Sequence, residues 1–115
     1  MMKELINKVL EWSYERKIIQ NSTAQAQTLK AMSEMGELAD NVNKNRDCKD
    51  DIGDVIVCLI NIAAIKGYTL KECLEVAFLD IEHRKGYMNE NGVFIKEGDN
   101  GKTNNWDWTK DKQTS

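Results

Sequence analysis

The stretch Asp50-Asp51-Ile52-Gly53-Asp54-Val55-Ile56-Val57-Cys58-Leu59-Ile60-Asn61-Ile62-Ala63-Ala64-Ile65-Lys66-Gly67 decides the fold. From Ile52 to Ala64 it is apolar almost all the way round a helical wheel, which predicts a helix that is mostly buried. Asp50 and Asp51 suit the positive end of its dipole, and Lys66 followed by Gly67 is a normal stop. Such a helix needs other helices against it. Leu29, Met32, Met35, Leu38, Ala39 and Val42 form the apolar arc of a preceding helix. That helix follows the capping hydroxyls of Ser22 and Thr23, with Ser22 and Gln25 at capping-box spacing, and ends in the polar run Asn43 to Asp47.

Further upstream, Leu5, Ile6, Val9 and Leu10, with Trp12 at the edge of their stripe, predict a first helix from about Lys3 to Arg16. Downstream, Thr69-Leu70-Lys71-Glu72 is a capping box, and Leu70, Cys73, Leu74, Ala77 and Ile81 recur with helical period to about Lys85. Asn91-Gly92, between Tyr87-Met88 and Val93-Phe94-Ile95, is a type I′ hairpin signal. The expected fold is all-α: a four-helix bundle with a short C-terminal hairpin over residues 1–97. A polar tail, 98–115, holds Trp106-Asp107-Trp108.

The 115 residues include no proline and three cysteines, with 19 acidic side chains against 16 basic ones for a formal net charge of −3. A chain of this size can hold a core without metal or disulfide staples. The acidic balance speaks against a nucleic-acid polymer as partner, because phosphate backbones are bound by massed Lys and Arg. No apolar run approaches the roughly 20 residues of a membrane span, and the N-terminus does not resemble a secretory signal. Cys48, Cys58 and Cys73 lack a CxxC pattern and fit reduced thiols in a cytoplasmic protein.

The chemistry-bearing residues concentrate on the second and third helices. Glu34 and Glu37 are three residues apart and share one face with Lys30 and Asn41. Asp51 and Asp54 repeat the spacing on the apolar third helix, and their stripe continues through Cys58 and Asn61. Surface placement accounts for Glu34 and Glu37 singly, and helix capping for Asp50 and Asp51. The combination is less ordinary, since buried carboxylates are costly unless paired or bound to a cation, and like charges at this spacing cost about 0.2–0.5 kcal/mol per pair.

An all-oxygen set suits Mg²⁺, with Mn²⁺ as the alternative ion, whereas zinc and di-iron sites recruit His or Cys. The only histidine is His83. One Asp80-x-x-His83 cannot supply the paired Glu-x-x-His of a di-iron bundle, and Asp47 to Asp54 lacks the Gly and Glu of an EF-hand loop. Mg²⁺ binds few carboxylates and completes its shell with water and substrate phosphates, so a phosphorylated substrate is implied. With no Gly-x-x-x-x-Gly-Lys loop, phosphates would be held by the metal and by Lys30, Arg84 and Lys85.

Ser33-Glu34-Met35-Gly36-Glu37-Leu38-Ala39 followed by Asp51-Ile52-Gly53-Asp54-Val55-Ile56-Val57 resembles the paired acidic motifs, Glu-Glu-x-x-Glu then Glu-x-x-Asp, of the MazG-like all-α nucleoside triphosphate pyrophosphohydrolases. Leu10-Glu11-Trp12-Ser13, Ile81-Glu82-His83-Arg84-Lys85-Gly86-Tyr87-Met88 and Gly92-Val93-Phe94-Ile95-Lys96 resemble the short phage and low-GC Gram-positive members, so the likeness covers roughly residues 3–97. It implies a MazG-like bundle in which Glu34, Glu37, Asp51 and Asp54 are the metal-binding carboxylates. Ser33 stands where the family usually has its first Glu, and Asp51 replaces a Glu, one methylene shorter. Relatives often have an Asn near the position of Leu79.

The resemblance implies hydrolysis of a (deoxy)nucleoside triphosphate to the monophosphate and pyrophosphate, with Glu37 positioning or deprotonating the attacking water. Lys30 would contact phosphate or form an i, i+4 ion pair with Glu34. Trp12 would stack on a base or pack in the core, and Asn61 is a further candidate substrate contact. Arg84 and Lys85 would contact phosphate or complement a helix C-terminus. The apolar third helix predicts a homodimer or a dimer-of-dimers tetramer. Ser33 and Asp51 leave open a non-catalytic helical oligomerisation or regulatory module with the same fold.

Overall fold

The computed structural model describes residues 1–98, and the Trp106-Asp107-Trp108 element lies outside them. The order is α1 (Met2–Glu15), α2 (Ile18–Asn21), α3 (Ala24–Asn43), α4 (Lys49–Ile65), α5 (Leu70–Ile81), β1 (Gly86–Met88) and β2 (Phe94–Lys96). The protein is mostly helical, as expected of an all-α chain. It divides into two compact units, Met1–Glu75 and Val76 onward. Among the described residues, no single helix is long and apolar enough to cross a membrane.

In the first unit α3 packs chiefly on α4, while α1 and α2 pack on each other and on α4. The short α2 was not foreseen: Lys17 takes a left-handed conformation, φ 63°, and turns the chain out of α1. The cap of α3 also shifts by one residue. Thr23, in extended backbone, accepts the Ala26 amide at 3.0 Å, and Ser22 Oγ instead accepts Gln27 Nε2 at 3.1 Å. The capping box of α5 forms as read, with Thr69 N to Glu72 Oε1 at 2.8 Å and Glu72 N to Thr69 Oγ1 at 3.0 Å.

The stop of α4 also forms where expected. Gly67 has φ +82°, its amide bonds Ala64 O and that of Tyr68 bonds Ala63 O. This pair of bonds is a Schellman turn, which requires the left-handed conformation that glycine supplies without a Cβ clash.

Which side chains the helices bury departs from expectation. Of the expected arc on α3, only Leu38 is half-buried; Leu29 and Met32 are 67% and 65% exposed, and Met35, Val42 and Ala39 are also open. On α4, Ile52, Ile56 and Leu59 form an exposed i, i+4, i+7 row. The buried apolar residues of the first unit are Ala31, Cys58, Ile60 and Ala63, which are mostly small. On α5 only Leu70 is half-buried, and Leu74, Val76, Phe78, Leu79 and Ile81 are exposed. Helical period marks apolar positions but does not say which of them the chain itself buries.

In the second unit β1 and β2 pair antiparallel, Tyr87 opposite Ile95, and Ile95 is buried. The connection is not type I′, because Asn91 does not have the positive φ that turn demands. Asn89 organises it instead: its Oδ1 accepts the amides of Asn91 and Val93, both at 2.9 Å. Its carbonyl accepts the amide of Gly92, φ +79°, giving a turn closed by a left-handed glycine.

Candidate metal centre between helices α3 and α4

The seam-facing side of α3 reads Gln27, Ala31, Glu34, Leu38, Asn41, and that of α4 reads Asp51, Asp54, Cys58, Asn61, Ile65; every one of these is buried or half-buried. Both rows alternate steps of three and four, the repeat by which two helices keep one face together. The seam is therefore well formed in period but unusually polar in composition. Two cross-links show the antiparallel register: Asn41 Nδ2 donates to Asp51 Oδ2 at 2.8 Å, and Asn61 Nδ2 donates to Gln27 Oε1 at 3.4 Å.

At the inner end lies a buried hydrogen-bonded chain. Ser13 Oγ on α1 donates to Asn61 Oδ1 at 2.6 Å, Asn61 reaches Gln27, and Gln27 reaches Ser22. Asn61 is 3% exposed and Ser13 is fully buried. Among the described residues, no buried side-chain polar atom lacks a partner. Asn61, a candidate substrate contact by sequence, thus has its amide committed to holding α1, α3 and α4 together. Gln27 and Ser13 were missed, although Gln27 lies seven residues before Glu34 on the same stripe and so carried the signal.

At the middle and outer end sit the carboxylates. The Glu34 side chain is only 15% exposed, and Lys30 Nζ lies 3.5 Å from its Oε1, so the i, i+4 ion pair forms. Glu37 is exposed at the edge of the seam. Its carboxyl is raised above the ordinary 4.5, first by a hydrogen bond with Glu34, then by Glu34's charge, by desolvation and by Asp51 and Asp54. Asp54 is raised above 3.8 by desolvation and by Asp50, Glu34 and Asp51, with Lys30 opposing. The Cys58 thiol, beneath them, is pushed up chiefly by burial and stays protonated.

The two acidic pairs read from sequence therefore meet in one electrostatic cluster. In charge and donor type it fits a hard divalent cation: oxygen ligands only, with an excess of negative charge across two facing helices. Among the described residues, no three His, Cys, Asp or Glu side chains converge on a single point as they stand.

The remaining candidates are Trp12, Arg84 and Lys85. Trp12, on α1, is half-exposed, and the Arg16 guanidinium stacks 4.4 Å from its ring centroid, so it is not a core residue. Arg84 and Lys85 belong to the second unit. Arg84 Nη2 pairs with Asp80 Oδ2 at 2.8 Å, and Lys85 is exposed.

Among known proteins, the chain is similar to one of Haemophilus phage HP1 (strain HP1c1) described as an uncharacterized 18.2 kDa protein in the rep-hol intergenic region. The two are 38% identical over 64 residues, 54% of this chain and 39% of the phage protein. The alignment thus spans about two fifths of that relative's length. No family model matches the chain, and no solved structure matches it.

Proposed function

We infer that the protein is a MazG-like enzyme that hydrolyses (deoxy)nucleoside triphosphates to the monophosphate and pyrophosphate with Mg²⁺. The observation that carries this reading is the meeting of Glu34 and Glu37 with Asp51 and Asp54 across the α3–α4 seam, where Glu34 raises the Glu37 carboxyl, and desolvation together with Asp50, Glu34 and Asp51 raises that of Asp54. These four side chains would hold the cation. Bound there, Mg²⁺ would offset phosphate charge and lower the pKa of an attacking water. Glu37, the exposed member, orients that water and takes its proton as the oxygen attacks the α-phosphorus. The bond from that phosphorus to the bridging oxygen breaks, and pyrophosphate leaves.

Lys30, whose side chain is 62% exposed beyond its contact with Glu34, is suited to phosphate oxygens. Trp12, over whose ring the Arg16 guanidinium lies, offers an aromatic face for a base, and Arg84 and Lys85 are the phosphate contacts that the sequence resemblance suggests. The small core of the first unit and the exposed apolar rows on its α3 and α4 support assembly as a homodimer or a dimer of dimers, since exposed apolar rows of this kind are ordinarily covered. The same exposed rows favour a second reading, a non-catalytic oligomerisation module.

Incubating the full chain with Mg²⁺ and a panel of dNTPs and NTPs separates the two. Pyrophosphate with an equal amount of monophosphate is expected from at least one nucleotide. Orthophosphate would mean a different bond is cut, and no product from any nucleotide would leave the oligomerisation module.

A further inference from the structure

Asn41 is held at both ends. Its backbone carbonyl accepts the Arg46 amide at 2.8 Å, while Asn45, φ 54°, turns left-handed and bonds Val42 O, which closes α3 in a Schellman turn. Its side chain leaves the opposite way, across the seam, and Nδ2 donates to Asp51 Oδ2 at 2.8 Å, a half-buried bond. Asn41, in the last turn of α3, therefore also grips the first turn of α4, where Asp50 and Asp51 lie. Glu37 is one turn before Asn41 on α3.

An aspartate has one methylene less than a glutamate with which to reach toward α3, and a free carboxylate at a helix start is drawn to its own amide groups. We propose that Asn41 is a positioning residue: its amide draws the short Asp51 side chain off its own helix start, tethers Oδ2, and turns Oδ1 toward Glu34, Glu37 and Asp54 as a cation ligand. This rests on the metal-centre reading above. It adds that the Asn41–Asp51 pair does the work that a longer acidic side chain at position 51 would do alone. Groups that orient metal ligands in this way typically change affinity by about 10–100-fold when removed.

The test titrates MnCl₂ into the full-length protein by calorimetry, alongside the Mg²⁺ dependence of pyrophosphate release. Asn41→Ala and the nearly isosteric Asn41→Leu should each weaken Mn²⁺ binding by about 10–100-fold and raise the Mg²⁺ requirement, with kcat largely restored at saturating Mg²⁺. In the Asn41→Ala background, Asp51→Glu should bring Mn²⁺ affinity back near wild type, because the longer arm needs no tether. That rescue also covers the case in which a single variant folds poorly. If Asp51→Asn loses Mn²⁺ while Asn41→Leu binds like wild type, or if Asp51→Glu gives no rescue, the tether is wrong and the metal centre stands. Wild-type protein that binds no Mn²⁺ would overturn both.

Discussion

Helix α3 has two faces that invert the usual order. The face against α4 carries Gln27, Glu34 and Asn41, with only Ala31 and Leu38 as apolar members, while the open face carries Leu29, Met32, Met35 and Val42. The α4 helix shares the contrast only in part: its seam carries Asp51, Asp54 and Asn61 and its open row Ile52, Ile56 and Leu59, but Cys58, Ile60 and Ala63 are also buried. A polar interior held by directional bonds fixes register, because each donor has one acceptor to find. Apolar surface is less exacting about its partner, and the open faces are suited to a second copy of the chain. On the proposed reading, chemistry belongs to the inner faces and assembly to the outer ones.

The largest effect should come from the outer faces. Replacing Met32 and Ile56 together by Asp should convert the assembly to monomer in sedimentation velocity and remove the concentration dependence of the Tm expected of an oligomer. A double variant that sediments like wild type would break the comparison. Next is the inner seam, where Asn61→Ala leaves Ser13 and Gln27 without their partner. The expected loss is about 1–3 kcal/mol, read by urea denaturation at a protein concentration that keeps the assembly intact. Smaller again is Gly67→Ala, which puts a Cβ on the φ +82° residue that ends α4 and should cost about 1 kcal/mol.

The smallest effect is on pH. Glu37 and Asp54 have folded pKa values above their ordinary 4.5 and 3.8. The folded state therefore binds more protons than the unfolded one between the ordinary and raised values. These two groups make metal-free protein more stable as pH falls toward that range and less stable as it rises through it. Thermal melts of chelator-treated protein check the sign, and the trend should flatten when MnCl₂ is added.

Much of the fold was legible because local chemistry is short-range. Thr69 and Glu72 cap α5 through their own side chains, and Gly67 ends α4 through its own backbone, so spacing alone reveals them. The acidic pairs were legible for the same reason, each lying within one turn. What lay beyond the sequence depends on register between elements. The Schellman turn at Asn45 sets where α4 starts relative to α3, and only then does Asn41 meet Asp51 rather than solvent. The apolar arc of α3 divides in the structure: Leu38 joins the seam with α4, whereas Leu29, Met32, Met35 and Val42 lie open, because helical period alone does not say which neighbour an apolar position meets. Asn91-Gly92 failed as a type I′ signal because Asn89, two residues earlier, supplied competing side-chain bonds.

Glu37 is the exposed carboxylate of the proposed metal-dependent site in the α3–α4 seam. The most direct measurement is pyrophosphate release from a nucleoside triphosphate panel at saturating Mg²⁺, by wild type and by Glu37→Ala with matched far-UV circular dichroism and sedimentation. The account predicts Mg²⁺-dependent release by wild type and a loss of at least about 100-fold in the variant, the scale of general-base catalysis. A Glu37→Ala protein that cleaves as fast as wild type would contradict it.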